Sequence, residues 1–245
     1  MPSDVYTGGK NVYGFPLGIL MLESRFPRIP GDVGNASTWP FPVLYRVVEG
    51  AGPARVVRSL KESGLVDAFV TGAQELVRAG VSIVTTNCGF LVLHQRQIQR
   101  SIGVPFLSSS LLQVPFLQSL LPPGRRVGVL TIERRSLSDE HLAAAGIAGD
   151  IPIVGMEEVG GYFVEVILGD GEELDVARAR DEHVQAARLL LRRHPEVGAI
   201  VLECTNMPPY AAAIREETGL PVHDLTTFVG WALAAERRRE FEGWM

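Results

Sequence analysis

The chain of 245 residues has two cysteines, and each stands just past a run of Val and Ile with Thr and Asn beside it. The first stretch reads VSIVTTNCGFL (residues 81–91) and the second VGAIVLECTNMPPY (197–210), so that Cys204 follows Cys88 by 116 residues. A thiol has a pKa of about 8.5, which falls beside a helix N-terminus. One cysteine of such a pair is therefore expected to serve as a thiolate base while its partner stays protonated. Set on either side of a substrate carbon, the thiolate removes a proton from one face and the thiol delivers one to the other, which inverts a stereocentre. Thr86, Asn87, Thr205 and Asn206, with the backbone N–H groups of Gly89 and of the turn after Cys204, offer donors for a carboxylate held at the helix starts.

The elements that must hold these residues alternate. Short β-branched runs predict strands over 15–22, 81–86, 104–107, 126–131, 151–154, 197–202 and 220–223. Helices are expected over 65–79, 91–101, 111–120, 138–145, 175–193, 209–218 and 226–240. This is the pattern of an α/β fold built on parallel sheet. The segment 157–175, with Gly160-Gly161 and Gly169-Asp170-Gly171, reads as a surface loop or a mobile flap.

A constant shift of 116 lays Val81 on Val197, Cys88 on Cys204, Ile98 on Ile214, Gly103 on Gly219 and Pro105 on Pro221. The halves also open alike, with PLGIL at 16–20 and RVGVL at 126–130. An internal duplication follows, divided where Pro122-Pro123-Gly124 ends a helix, into an N-terminal lobe (1–122) carrying Cys88 and a C-terminal lobe (123–245) carrying Cys204. The C-terminal helix could pack back on the first lobe or form a dimer contact. Ligands of such sheets bind beyond the carboxyl ends of the strands, so the cysteines are expected on opposite walls of one cleft between two pseudo-symmetric lobes.

Composition narrows the remaining choices. A net charge of −5, with scattered arginines, argues against nucleic acid as a partner. No run approaches the roughly 18 apolar residues of a membrane helix, no signal peptide is evident at the N-terminus, and two free thiols suit a cytoplasmic protein. The five histidines show no metal-ligand spacing, so no metal is expected; His223 before Asp224 reads as structural or as a substrate contact. Lys10 and Lys61 are the only lysines, in contexts that argue against a Schiff-base cofactor.

TTNCGF and ECTNMPPY resemble the two cysteine motifs of the aspartate/glutamate racemase superfamily, which includes hydantoin racemases, arylmalonate decarboxylases and maleate isomerases. The second motif follows the family's Cys-Thr pattern. The first departs from it, since Thr86 and Asn87 precede Cys88 and Gly89 follows, where Cys-Asn-Thr is the commoner order. The resemblance implies paired α/β lobes, cofactor-free catalysis by Cys88 and Cys204 as acid and base, and a homodimer or higher homo-oligomer. It also implies a substrate-binding loop after the first strand, with Asp32, Gly34 and Asn35 as its candidates; an ordinary tight turn is the competing reading. Arg25 and Arg28 are either solvated or partners for a second carboxylate. The expected activity is racemisation or epimerisation of a small carboxylate, most plausibly aspartate or glutamate. The alternatives are a maleate-type cis-trans isomerase and a non-catalytic ligand-binding relative.

Overall fold

The computed structural model describes residues 5, 7–10, 12–60, 64–236, 238, 240, 241 and 243. Lys61 and part of the segment 237–245 lie outside them. The chain forms two four-stranded parallel sheets of the same order. The first is β2-β1-β3-β4, from Leu17–Leu22 (β1), Val43–Val48 (β2), Ile83–Thr86 (β3) and Phe106–Leu107 (β4). The second is β6-β5-β7-β8, from Arg126–Thr131 (β5), Ile153–Gly155 (β6), Val197–Leu202 (β7) and Val222–His223 (β8). Helices Pro53–Ser59 (α1), Val66–Ala79 (α2), Gln95–Ser101 (α3) and Val114–Leu120 (α4) accompany the first sheet. Asp139–Ala144 (α5), Tyr162–Leu168 (α6), Val176–Arg193 (α7), Ala211–Thr218 (α8) and Leu225–Glu236 (α9) follow.

The expected α/β fold of two matching lobes is what the structure shows. β1 is buried along its whole length, and its side chains alternate between two cores. Leu20 and Leu22 join Phe69, Ala73 and Leu76 of α2, while Leu17, Ile19 and Met21 meet Leu225, Val229 and Leu233 of α9. The C-terminal helix thus packs on the first sheet. Gly18 and Gly128 hold equivalent central positions. A Cβ at Gly18 would lie 3.1 Å from Leu76 and Val81, and one at Gly128 2.8 Å from Leu190 and 3.0 Å from Val197. In both halves a missing side chain lets a helix close on the sheet.

The structure departs from the sequence expectation in several places, among them α1, a helix that the sequence did not announce. β2 is an edge strand whose side chains are mostly half-buried, and Arg46 interrupts its apolar run, so it does not read as a buried parallel strand. The segment 157–175 is not a loop throughout: it contains α6, five of whose seven residues are buried. The Glu182 carboxylate accepts the Tyr162 and Phe163 N–H groups at 3.0 and 2.9 Å and caps this helix from α7, a tertiary contact that no local signal announces. The helices expected from Leu91, Leu111 and Pro209 start as 3-10 turns, Gly89–His94, Ser110–Gln113 and Pro208–Tyr210. Among the described residues no helix is long and apolar enough to cross a membrane, and no cluster of His, Cys, Asp and Glu suits a metal ion.

Candidate active site

The duplication brings the two cysteine turns together. At the end of β3 the Asn87 N–H donates to Leu20 O at 2.9 Å; at the end of β7 the Glu203 N–H donates to Leu130 O at 2.8 Å. Asn87 and Glu203 are thus structural equivalents, each tying its turn to the central strand of its sheet and each preceding a buried cysteine. The Thr205 hydroxyl crosses between the turns to Asn87 O at 2.5 Å, and Ser110 Oγ reaches Leu202 O at 2.6 Å. Cys88 and Cys204 then line one enclosed cavity of about 20 Å³, room for about one water molecule.

The cavity walls are mostly apolar. Leu22, Phe26, Pro53 and Val57 come from the first half, and Ile132, Ile167 and Leu168 from the second. The segment read as a loop therefore supplies part of the roof through α6. Polar groups enter at three places besides the thiols. Asn87 Oδ1 accepts the Leu22 N–H at 2.7 Å, which leaves its buried Nδ2 without a partner. Glu203 Oε2 accepts the Thr131 hydroxyl at 2.8 Å, while the buried Oε1 has no partner. Asn206 Nδ2 donates to Asp32 Oδ2 at 2.6 Å, and its Oδ1 accepts the Cys204 thiol at 3.4 Å.

Of the expected binding residues, Asn87, Gly89 and Asn206 line the cavity. Thr86 and Thr205 do not, because their hydroxyls are spent on the turns: Thr86 Oγ1 accepts the Cys88 N–H at 3.2 Å, and Thr205 makes the bond across the lobes. The loop after β1 is also held by bonds within the protein. Asp32 is buried with its oxygens committed to Arg28, Gly34 N–H and Asn206. Asn35 caps the turn at Ser37 and donates to Arg28 O. At Gly34 a Cβ would come within 2.6 Å of Arg28 and Met21. In the closed cavity this loop acts at one remove, with Asp32 fixing the Asn206 amide that faces Cys204. Arg28 belongs to the same network, while Arg25 pairs with Glu172 at the surface. His223 is not a cavity residue, and Asp224 caps the start of α9 through Thr226 and Thr227.

Glu203 was missed by sequence reasoning. Its signal was present: the shift of 116 lays it on Asn87, and a carboxylate ends an otherwise apolar strand run. Burial pushes its carboxyl up to about 7, against the hydrogen bonds from Thr131 and the Ile132 N–H. The thiols also differ from expectation. Burial, reinforced by Glu203, pushes Cys88 up to about 12 despite the Phe90 and Leu91 N–H groups and the charge of Arg28. Burial and Glu203 raise Cys204 well above the usual thiol range, with Cys88 and Asp32 adding to the rise and only the Asn206 N–H opposing it. Short 3-10 turns carry little dipole, and desolvation in an apolar cavity outweighs it. Both thiols should therefore alkylate slowly at pH 7. Because the thiolate is the nucleophile, the rate should climb about tenfold per pH unit and show no plateau below pH 9. Iodoacetamide labelling followed by mass spectrometry checks this, and a plateau near pH 7 would contradict it.

A cavity this small admits a substrate only when its roof opens. Asp170, just beyond α6, sits at φ 55° and its Oδ1 accepts the Arg25 and Phe26 N–H groups at 2.6 and 3.2 Å, latching α6 to the loop after β1. Asp170→Gly keeps the backbone conformation accessible and removes the latch. Loss of about 1 kcal/mol of hydrogen bonding should speed Cys88 alkylation roughly fivefold, whereas Asp170→Asn should change it little.

With the two cysteine turns at equivalent strand ends and facing one cavity, the sequence comparison becomes decisive: the profile of the Asp/Glu/hydantoin racemase family matches residues 52–233. The chain belongs to that family. Among curated relatives, this racemase-family chain is 30% identical over 222 residues to a dimethylsulfoniopropionate lyase of Durusdinium sp. clade D, covering 87% of this chain and 72% of the lyase. It is also 30% identical over 233 residues to dimethylsulfoniopropionate lyase 5 of Emiliania huxleyi, covering 89% of this chain and 45% of that lyase. It therefore spans less than half of the second relative. Among solved structures, allantoin racemase from Klebsiella pneumoniae superimposes with a TM-score of 0.60 at 14% identity, covering 93% of this chain and 96% of the racemase. That likeness speaks for the fold alone. Family membership points to an enzyme, and it leaves isomerase and lyase chemistry both within reach.

Proposed function

We propose that this protein is a lyase that needs no cofactor for its chemistry, removing the proton α to a substrate carboxylate with a cysteine thiolate and expelling a β-leaving group. Dimethylsulfoniopropionate is the first substrate to try. The observation that carries the reading is the pairing of Cys88 and Cys204 on one closed apolar cavity, and the similarity to dimethylsulfoniopropionate lyases over most of this chain supports the choice of leaving group. Asn87 Nδ2 is a free donor for the carboxylate. Cys88 has two backbone N–H groups and Arg28 in favour of its anion, whereas Cys204 has one N–H and faces Asp32 as well as Glu203, so Cys88 is the better base. Its thiolate takes the α-proton, the C–H electrons form the Cα–Cβ double bond, and the Cβ–S bond breaks with its pair going to sulfur. Dimethyl sulfide and acrylate result, and the Cys88 proton passes to solvent. The Cys204 thiol donates a hydrogen bond to the carboxylate as enolate charge develops.

The first half of this reaction is shared with racemisation, where the opposite thiol would reprotonate the carbon. The equivalent placement of the two cysteines favours that second reading. Proton NMR in D₂O separates the two. Wild type with dimethylsulfoniopropionate should yield acrylate and dimethyl sulfide, while aspartate, glutamate and other chiral α-substituted acids should keep their α-proton signals. Exchange and inversion of those acids without elimination would replace the lyase by the racemase.

A further inference from the structure

The two strand-end residues that precede the cysteines present opposite unmet needs to one cavity. Asn87 from the first lobe offers a buried N–H donor without a partner, and Glu203 from the second offers a buried carboxylate oxygen without one. Among the described residues no Lys or Arg pairs with Glu203; the arginine bound in this region, Arg28, is held by Asp32 and Ser24. Space for the carboxylate is made by Gly89, where a Cβ would stand 2.3 Å from Glu203 Oε1. Burying a carboxylate with an empty acceptor costs stability, and the cost is offset when a cation arrives.

We propose that Glu203 is the specificity-determining residue that receives the positive end of a zwitterionic substrate, a methylated sulfonium or ammonium whose carboxylate lies at Asn87. The walls choose the methylated form. An ammonium could satisfy Glu203 Oε1 with one N–H, but its other N–H groups would face Phe26, Ile167 and Leu168 unpaired, whereas methyl groups pack against those side chains. The pseudo-twofold arrangement thereby also sets direction, since donor and acceptor sit at equivalent places in opposite lobes. The docked cation would neutralise the Glu203 charge, which adds to burial in holding both thiols protonated, so that the right substrate favours the thiolate.

This assignment rests on reading the cavity as the substrate site, and charge alone tests it. Calorimetric titration would compare 3-(trimethylammonio)propanoate with its neutral isostere 4,4-dimethylpentanoate in wild type, Glu203→Gln and Glu203→Asp. Wild type should bind the cation at least tenfold more tightly, Glu203→Gln should hold the two within twofold of each other, and Glu203→Asp should keep a preference for the cation. If Glu203→Gln fails to fold, loss of the preference in Glu203→Asp would overturn the assignment. Equal binding by wild type, no binding of either ligand, or an unchanged preference in Glu203→Gln would also overturn it. A Glu203-dependent preference together with no elimination in the NMR assay would instead sink the lyase and leave the cation site standing.

Discussion

Cys88→Ser is expected to lower the elimination rate by about 10³-fold or more, and Cys204→Ser by roughly 10- to 100-fold, the asymmetry being the useful part of the result. Removing the base leaves a serine hydroxyl that cannot ionise in an apolar cavity, and general-base catalysis contributes about 10²- to 10⁴-fold. Removing the second thiol takes away one hydrogen bond to the developing enolate, and the serine hydroxyl retains part of it. Two-base racemisation predicts something different, because inversion requires both groups and either serine should then abolish it equally. Steady-state rates of acrylate formation for both variants, with circular dichroism as the check on folding, decide between these patterns.

Gly89→Ala is the second large effect. Its Cβ would lie 2.3 Å from Glu203 Oε1, 2.6 Å from the Glu203 carbonyl oxygen and 3.0 Å from Ser109 Oγ. The carbonyl belongs to the turn tied to Leu130 and cannot swing aside as a side chain would. Overpacking of this kind costs about 1–3 kcal/mol, read as a lower urea midpoint. Activity should fall further than stability, by about 10²-fold, because moving either turn by a fraction of an ångström misplaces a thiol against the substrate carbon. Gly103→Ala, with open space around its Cβ, should leave both quantities unchanged. Wild-type activity in a folded Gly89→Ala protein would show that the two turns have more slack than their contacts indicate.

The sequence by itself carried the fold and the two cysteines. Strands buried on both faces are apolar runs, and duplication repeats them, β7 at a shift of 116 from β3 and β5 at 110 from β1, so these four strands and the residues at their ends could be read locally. Edge strand β2 and helix α6 escaped because their identity depends on partners: β2 on hydrogen bonds to β1, α6 on a cap from Glu182 twenty residues on. The same division runs through the site. Asn87, Cys88, Cys204 and Asn206 follow from position on a strand end. That Thr86, Thr205 and Asp32 serve the turns rather than the cavity depended on which lone pairs were already taken. The thiol ionisation turned on burial, which a motif does not report, and the role of Glu203 turned on an empty acceptor beside the Cβ-less Gly89. Local sequence writes periodicity and strand ends; desolvation and hydrogen-bond saturation are properties of the assembled interior, and only the tertiary structure decided them.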